Sequence, residues 1–234
     1  MGLPMGLPVL DVPTYELVLP STNKKVKYRP FLVKEHKILM TLKDSSPEEV
    51  SRVVRELVDV CTYNKLKVKQ LPHFDIEYLF VNLRSKSIGE NLDLIVTCSC
   101  GNEIPTTVNL NDVQVIKNNS HTNKIRMGNL VVEMQYPSFD DMVKLNEYQD
   151  VDLLFKIIAN NLKTITKDDE VYNVDEYTDQ EKEEFLLSLT KDQFTKLEQF
   201  YTTMPKVVQE VKAECDKCGK HNDLKLEGLQ NFFV

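Results

Sequence analysis

Two cysteine pairs that lie far apart in the chain constrain the fold of this sequence most. Cys98 and Cys100 stand in the segment CSCGNE, and Cys215 and Cys218 stand in the segment CDKCGK. In both segments a glycine follows the second cysteine, and glycine there lets backbone amides turn toward sulfur. Four thiolates on two such turns are the ligands of a tetrahedral zinc site. We therefore predict one site that joins two distant hairpins.

A site formed by Cys98, Cys100, Cys215 and Cys218 leaves no coordination position open for water, so we expect a structural Zn²⁺ rather than a catalytic one. The CxxC spacing of the second pair is common in such turns, whereas the first pair is one residue shorter. The sequence leaves three alternatives open. They are four free thiols, a disulfide arrangement, and replacement of one thiolate by His221.

The composition is that of an ordinary globular protein. The chain has 234 residues, of which 41% are hydrophobic and 28% charged, which is enough to bury a core. A net charge of −7 removes the broad attraction to phosphate on which non-specific nucleic-acid binding depends. No apolar run approaches the roughly 20 residues of a membrane span, and Pro4 and Pro8 interrupt the apolar start. We predict an intracellular protein whose five cysteines stay reduced.

The patterns predict an α+β fold. We expect β-hairpins, including a split zinc-ribbon-like pair of cysteine turns, together with a mainly helical body. Residues 1–12 are rich in Gly and Pro and predict a flexible N-terminal arm, followed by a single domain over residues 13–234. Within this domain, residues 98–110 and 207–227 form the zinc-ribbon-like part, and residues 138–204 form a helical insertion.

Local signals place the individual elements. Alternating apolar residues predict four hairpins: Tyr15–Leu19 with Lys25–Tyr28, one around each cysteine pair, and one around Gly128-Asn129. Helical spacing and capping residues predict helices over Val33–Lys43, after Ser46, over LPHFDIEYLFVNLRSKSIGE, over SFDDMVKL and VDLLFKIIANNL, and after Thr178 and Thr190. The apolar face of the helix after Ser46 ends at Cys61, which we assign to the core.

The sequence contains no recognisable catalytic constellation. His36, His73 and His121 are scattered and stand outside any metal-protease or nucleophile motif. The acidic runs fall at turns and helix starts, and the positive end of the helix dipole stabilises carboxylates at a helix start. We therefore predict that the protein is not an enzyme.

Three segments carry a resemblance to a known family. They are LPSTNKKVKYRPFLVKEHKILM, LPHFDIEYLFVNLRSKSIGE and HTNKIRMGNLVVEMQYP, with the CSC turn between the last two. These segments resemble the T-even-type bacteriophage baseplate protein family, the hub subunits or hub-assembly factors of contractile-tailed phages. The similarity extends from about Tyr15 through the second cysteine pair.

The resemblance implies a non-catalytic protein that binds other phage baseplate hub or tail proteins during tail assembly. Its expected location is the host cytoplasm during assembly and the tail baseplate of the virion. The densest matching motifs supply the candidate partner-binding residues, which are Arg29, Pro30, Phe31, Lys34, Glu35, Arg84, Lys86 and Gly89. The alternative for Arg29 and Arg84 is that each holds a carboxylate within the monomer.

A zinc-ribbon protein that binds nucleic acid or acts as a regulator is the alternative function. It requires basic residues beside the cysteines. Lys212, Lys217 and Lys220 meet this need, but Glu210, Glu214 and Asp216 cancel their charge. We therefore expect no nucleic-acid partner.

Overall fold

The computed structural model describes residues 10–148 and 150–232, and the side chains of residues 43, 44, 146–148 and 230 are outside this description. The strands in this part of the chain are β1 (Tyr15–Val18), β2 (Lys25–Tyr28), β3 (Asn91–Thr97), β4 (Glu103–Asn109), β5 (Gln114–Ile116), β6 (Lys124–Met127), β7 (Leu130–Met134), β8 (Leu162–Lys167), β9 (Glu170–Asn173), β10 (Lys206–Glu214) and β11 (His221–Glu227). The helices are α1 (Val33–Met40), α2 (Pro47–Cys61), α3 (His73–Ser87), α4 (Phe139–Tyr148), α5 (Val151–Asn160), α6 (Asp179–Leu187) and α7 (Lys191–Thr203).

The fold is α+β, with small antiparallel sheets. The strands pair as β1–β2, β3–β4, β11–β10–β5 and β6–β7–β8–β9. The four predicted hairpins are confirmed. The predicted arm over residues 1–12 lies outside the described residues except for its last three, and there Leu10 is exposed. Within the described residues, no helix is long and apolar enough to cross a membrane.

Helix α3 is shared by two hydrophobic cores because it is apolar on two faces. Ile76, Leu79, Phe80 and Leu83 enter the first core, which also contains the β1–β2 hairpin and α2. Phe74 and Val81 point the other way, into the second core between β3, β4 and β10. The four residues predicted to face inward are all buried, and the helix thereby fixes the two cysteine hairpins against the body.

Helix α2 follows its sequence signals closely. The side chain of Ser46 accepts a hydrogen bond from the backbone N–H of Glu49, as the predicted cap requires. Cys61 is fully buried at the end of the helix, in the first core. Helix α1 is shorter than predicted: it ends at Met40, and a 3₁₀ turn over Thr41–Asp44 replaces its last turn.

The range 138–204 contains a β-hairpin that the sequence patterns did not predict. Strands β8 and β9 extend the β6–β7 hairpin to a four-stranded sheet, which packs on α5, α6 and α7 in the third core. The turn between them is Asp168-Asp169, and both residues have positive φ, 49° and 68°. The range that we expected to be a helical insertion therefore contains both helices and strands, because β8 pairs with β7 across the 27 residues of helix and loop between them. The domain boundaries themselves stay a prediction.

Candidate metal centre

The four cysteines lie at the tips of two hairpins with matching turns. In the β3–β4 turn the N–H of Gly101 donates to the carbonyl of Cys98 at 2.8 Å, and in the β10–β11 turn Gly219 donates to Cys215 at 2.8 Å. Both glycines have positive φ, 81° and 70°, a conformation that side chains disfavour. The conformation of both turns therefore favours glycine after each cysteine pair.

The sulfur atoms form one compact cluster. All four Sγ atoms lie within 4.8 Å of one another. The Sγ of Cys98 is 3.7 Å from that of Cys218, and the Sγ of Cys100 is 3.7 Å from that of Cys215. A zinc–sulfur bond of about 2.3 Å gives a sulfur–sulfur distance of about 3.8 Å in a tetrahedron. The spacing therefore fits a shared metal ion, and it is much longer than a disulfide bond of about 2.05 Å.

Backbone donors favour thiolate at the buried cysteines. The N–H of Cys100 lowers the pKa of Cys98 to about 6. Burial by itself would raise the pKa of Cys215. Hydrogen bonds to its sulfur, of which the one from the N–H of Cys218 is the strongest, outweigh burial and lower the pKa. The N–H of Lys220 lowers the pKa of Cys218, but the thiols of Cys215 and Cys100 raise it, and the result is about 12. A cation is what lets all four sulfurs ionise together.

Three polar contacts tie the two hairpins together beside the sulfurs. The Nδ2 of Asn102 lies 3.7 Å from the Sγ of Cys215 and donates to the Oδ1 of Asp216 at 2.6 Å. The Nζ of Lys220 donates to the Oγ of Ser99 at 2.9 Å. The sequence patterns missed these contacts because the partners stand more than 100 residues apart in the chain.

His221 is not part of the cluster. Among the described residues, the side chains close enough to share one ion are the four cysteines. His221 begins β11, pairs with Glu214 in the ladder and is exposed. The six charged residues named above, from Glu210 to Lys220, are also exposed, so acidic and basic groups are mixed on this surface.

The candidate partner-binding residues around α1 have roles inside the monomer. The Nη2 of Arg29 lies 3.0 Å from the Oε1 of Glu35, with side chains 11% and 5% exposed, and its Nη1 donates to the carbonyl of Pro30 at 2.9 Å. Burial raises the pKa of Glu35, but hydrogen bonds from Arg29 and a backbone N–H hold it below its ordinary value. The ring of Phe31 is buried 5.9 Å from that of Phe80. Phe31 is therefore part of the core of the monomer, and Arg29 forms the internal ion pair that was its alternative role.

The other candidates differ in exposure. Arg84 is buried in α3, and the Nζ of Lys86 pairs with Glu90. Gly89 stands just past the end of α3 with a positive φ of 149°, so it has a conformational role there. Lys34 is the exposed member of the set, with 71% of its side chain accessible. Contact of any of these residues with a partner stays a prediction.

The fold and the sulfur cluster define an α+β protein in which a four-cysteine centre joins two hairpins. A family model described as T4 bacteriophage base plate protein matches residues 12–234. The chain therefore belongs to the T4 bacteriophage base plate protein family, which confirms the resemblance of the three segments. It is 27% identical over 213 residues to the baseplate hub assembly protein gp26 of Enterobacteria phage T4, covering 90% of this chain and 93% of that protein. No solved structure matches the chain significantly.

Proposed function

We propose that this protein acts in assembly of the phage baseplate hub by binding other hub or tail proteins, without turning over a substrate. The observation that carries the proposal is the family match over residues 12–234. The phage T4 relative is a baseplate hub assembly protein, and the similarity covers 93% of its length. Assembly takes place in the host cytoplasm, and its product is the baseplate of the virion tail.

The cysteine cluster holds a structural zinc ion in this proposal. The 3.7 Å sulfur separations support it, because they match the edge of a tetrahedral four-thiolate site. The ion ties the β3–β4 hairpin to the β10–β11 hairpin. Its role is mechanical, since four thiolates leave no position for a substrate.

Helix α1 provides the docking surface for the hub partner. The helix is held on the body by Glu35 and Leu39, and most of its other side chains are exposed. Val33 is 85% exposed and Met40 71% exposed, and Lys34 lies beside Val33. Large apolar side chains on one exposed helix are typical of a protein interaction site. Of the predicted partner-binding residues, this surface includes Lys34. Val33 and Met40 provide its apolar contacts, in place of the buried Phe31.

Affinity purification from infected cells tests both statements. A tagged wild-type chain is expected to recover hub proteins in a fixed ratio. Val33→Asp combined with Met40→Asp should reduce that recovery at least tenfold, because it places charges in an apolar contact. Val171→Asp on β9 is the matched control, since Val171 is 64% exposed and lies on a different surface.

Two outcomes contradict the proposal separately. If the α1 variant has a native circular dichroism spectrum and recovers the partners undiminished, α1 is not the docking surface. If the wild-type chain recovers no tail component at all, the assembly function is wrong.

Nucleic-acid binding has less support. Acidic and basic side chains alternate on the exposed surface beside the cysteine cluster, and the net charge is −7. Filter binding with single-stranded and double-stranded DNA and RNA over a salt series is expected to give no retention near physiological salt. Retention that weakens steeply with salt would favour this alternative.

A further inference from the structure

A pocket of about 700 Å³ lies outside both surfaces discussed so far. It opens where α3, α4 and the ends of α2 and α7 meet the ends of β10 and β11. Its volume is within the range of about 300–1,000 Å³ that ligand pockets occupy. Neither the cysteines nor α1 contributes to its lining.

The pocket contains an acidic side chain that lacks a counter-ion. Glu77 of α3 lines the pocket. No described residue forms an ion pair within 4 Å or a hydrogen bond with its carboxylate. Burial raises the pKa of Glu77 to about 8, Glu227 adds to this effect, and Lys206 opposes it. The raised pKa favours the protonated carboxyl group while the pocket is empty.

A second polar side chain without a partner lies one helical turn away from Glu77. His73 is 4% exposed and lines the same pocket, and its Nδ1 has no hydrogen-bond partner among the described residues. Burial lowers the pKa of His73 to about 3, so the ring is neutral. Buried polar groups are normally hydrogen-bonded, so the unpartnered Nδ1 of His73 beside the partly buried carboxyl group of Glu77 points to a missing ligand.

The remaining charges of the pocket cancel. The Nζ of Lys206 lies 3.2 Å from the Oε2 of Glu227, and both side chains are partly exposed at the ends of β10 and β11. The lining residues from α2, α4 and α7 are apolar or carry hydroxyl groups, among them Tyr201, whose pKa is raised by burial. Glu77 is therefore the carboxyl group of the pocket that has no partner among the described residues, and a single cationic group beside it would favour its ionised form.

We propose that this pocket binds a basic side chain of another baseplate protein, with Glu77 as its counter-ion. That the ligand is a cation is argued from the charges and the unpartnered polar groups of the pocket. That this cation belongs to another protein rests on the proposed function. The aromatic rings of Phe139 and Tyr201 in the lining give a guanidinium group apolar faces to pack on. A basic side chain beside Glu77 favours its ionised form, so binding releases protons at pH 7.

A peptide titration of the full-length protein tests the cationic chemistry. The probe is acetyl-Gly-Arg-Gly-amide, and the control peptide carries citrulline, which has the same shape without the charge. The readout is the ring resonances of isotope-labelled histidines, with proton release measured in unbuffered solution. The arginine peptide is expected to shift His73 saturably and to release protons, while the exposed His221 stays unchanged and the citrulline peptide binds at least tenfold more weakly.

Two variants separate the role of Glu77 from general charge effects. Glu77→Gln resembles the protonated form that occupies the empty pocket, so it is expected to fold normally and to lose both peptide binding and proton release. Glu210→Gln on β10 removes an exposed carboxylate outside the pocket and should bind the arginine peptide as wild type does. Equal binding of the citrulline peptide, full binding by Glu77→Gln, or no shift of His73 with any peptide would each overturn the proposal.

The source of the basic side chain has its own test. Tagged Glu77→Gln recovered from infected cells is expected to bring down less hub protein than the wild type. Undiminished recovery refutes a protein source for the ligand but leaves the assembly function intact. Peptide binding by a wild-type chain that recovers no hub protein refutes the assembly function and leaves the chemistry of the pocket intact.

Discussion

Loss of the metal centre is expected to destabilise the protein by releasing a long loop in the chain. The sulfur contacts join residues 115 and 120 positions apart. A cross-link that closes a loop of about 100 residues stabilises a fold by about 4.7 kcal/mol, because it restricts the unfolded chain. Whole domains are stable by only about 5–15 kcal/mol. The zinc ion should therefore supply a large share of the free energy of unfolding.

Urea denaturation with and without zinc measures this contribution. The perturbation is Cys215→Ser with Cys218→Ser, which removes one entire turn of the site. The zinc-loaded wild type should exceed the variant by about 4–5 kcal/mol, plus about 1–2 kcal/mol for a hydroxyl at the buried position of Cys215. With a chelator present only the smaller difference should remain. Elemental analysis of the wild type should give about one zinc per chain.

Cys61→Ala is the matched control. Cys61 is fully buried but stands in the first core, away from the other four cysteines. Its substitution should cost about 1–3 kcal/mol, equally with zinc and with chelator. Equal unfolding free energies of the wild type in zinc and in chelator would refute the cross-link and favour four free thiols.

Three further changes test contacts in the body of the protein. Phe31→Ala should lower the free energy of unfolding in urea by about 3–5 kcal/mol, whereas Val33→Ala on the exposed side should stay within about 0.5 kcal/mol of wild type. Arg29→Met should cost about 3 kcal/mol because it removes the buried partner of Glu35 and leaves the exposed Lys34, 3.6 Å away, as its counter-ion, and adding Glu35→Gln should recover part of that loss. The pKa of Glu77 is raised in the folded state, so stability should fall as pH rises from about 5 to 8, by up to roughly 1.4 kcal/mol per pH unit. Glu77→Gln should lack this decline, and identical pH profiles of the two proteins would contradict it.

Local signals in the sequence predicted the helix starts correctly, because residues close together in the chain stabilise them. Thr178 with Glu181, and Thr190 with Gln193, form the capping boxes that their spacing predicts, and α6 and α7 begin there. Ser46 likewise caps the start of α2, by accepting a hydrogen bond from the backbone N–H of Glu49. These contacts span three or four residues, so residue type and spacing determine them.

Elements that depend on distant neighbours were harder to predict. The run Leu162–Lys167 becomes β8 because the edge of β7 is free to pair with it. The run is short and lies between two helices, so its residue pattern alone did not indicate a strand. The positive φ of Asp168 and Asp169 fits a tight hairpin turn, for which the acidic pair is the local signal. The burial of Phe31 was also not predictable from local signals, since it depends on contact with Phe80 of α3.

The sequence by itself determined the chemistry of the cysteine site: four thiols, two turns, and a glycine after each pair to admit the backbone. The tertiary structure alone decided that Cys98 meets Cys218 and that Cys100 meets Cys215. Those pairings follow from the register of two hairpins and from the way both pack against α3. The same holds for the unpaired Glu77, because the burial that leaves a carboxyl group without a counter-ion is a property of the assembled cores and of no single stretch of chain.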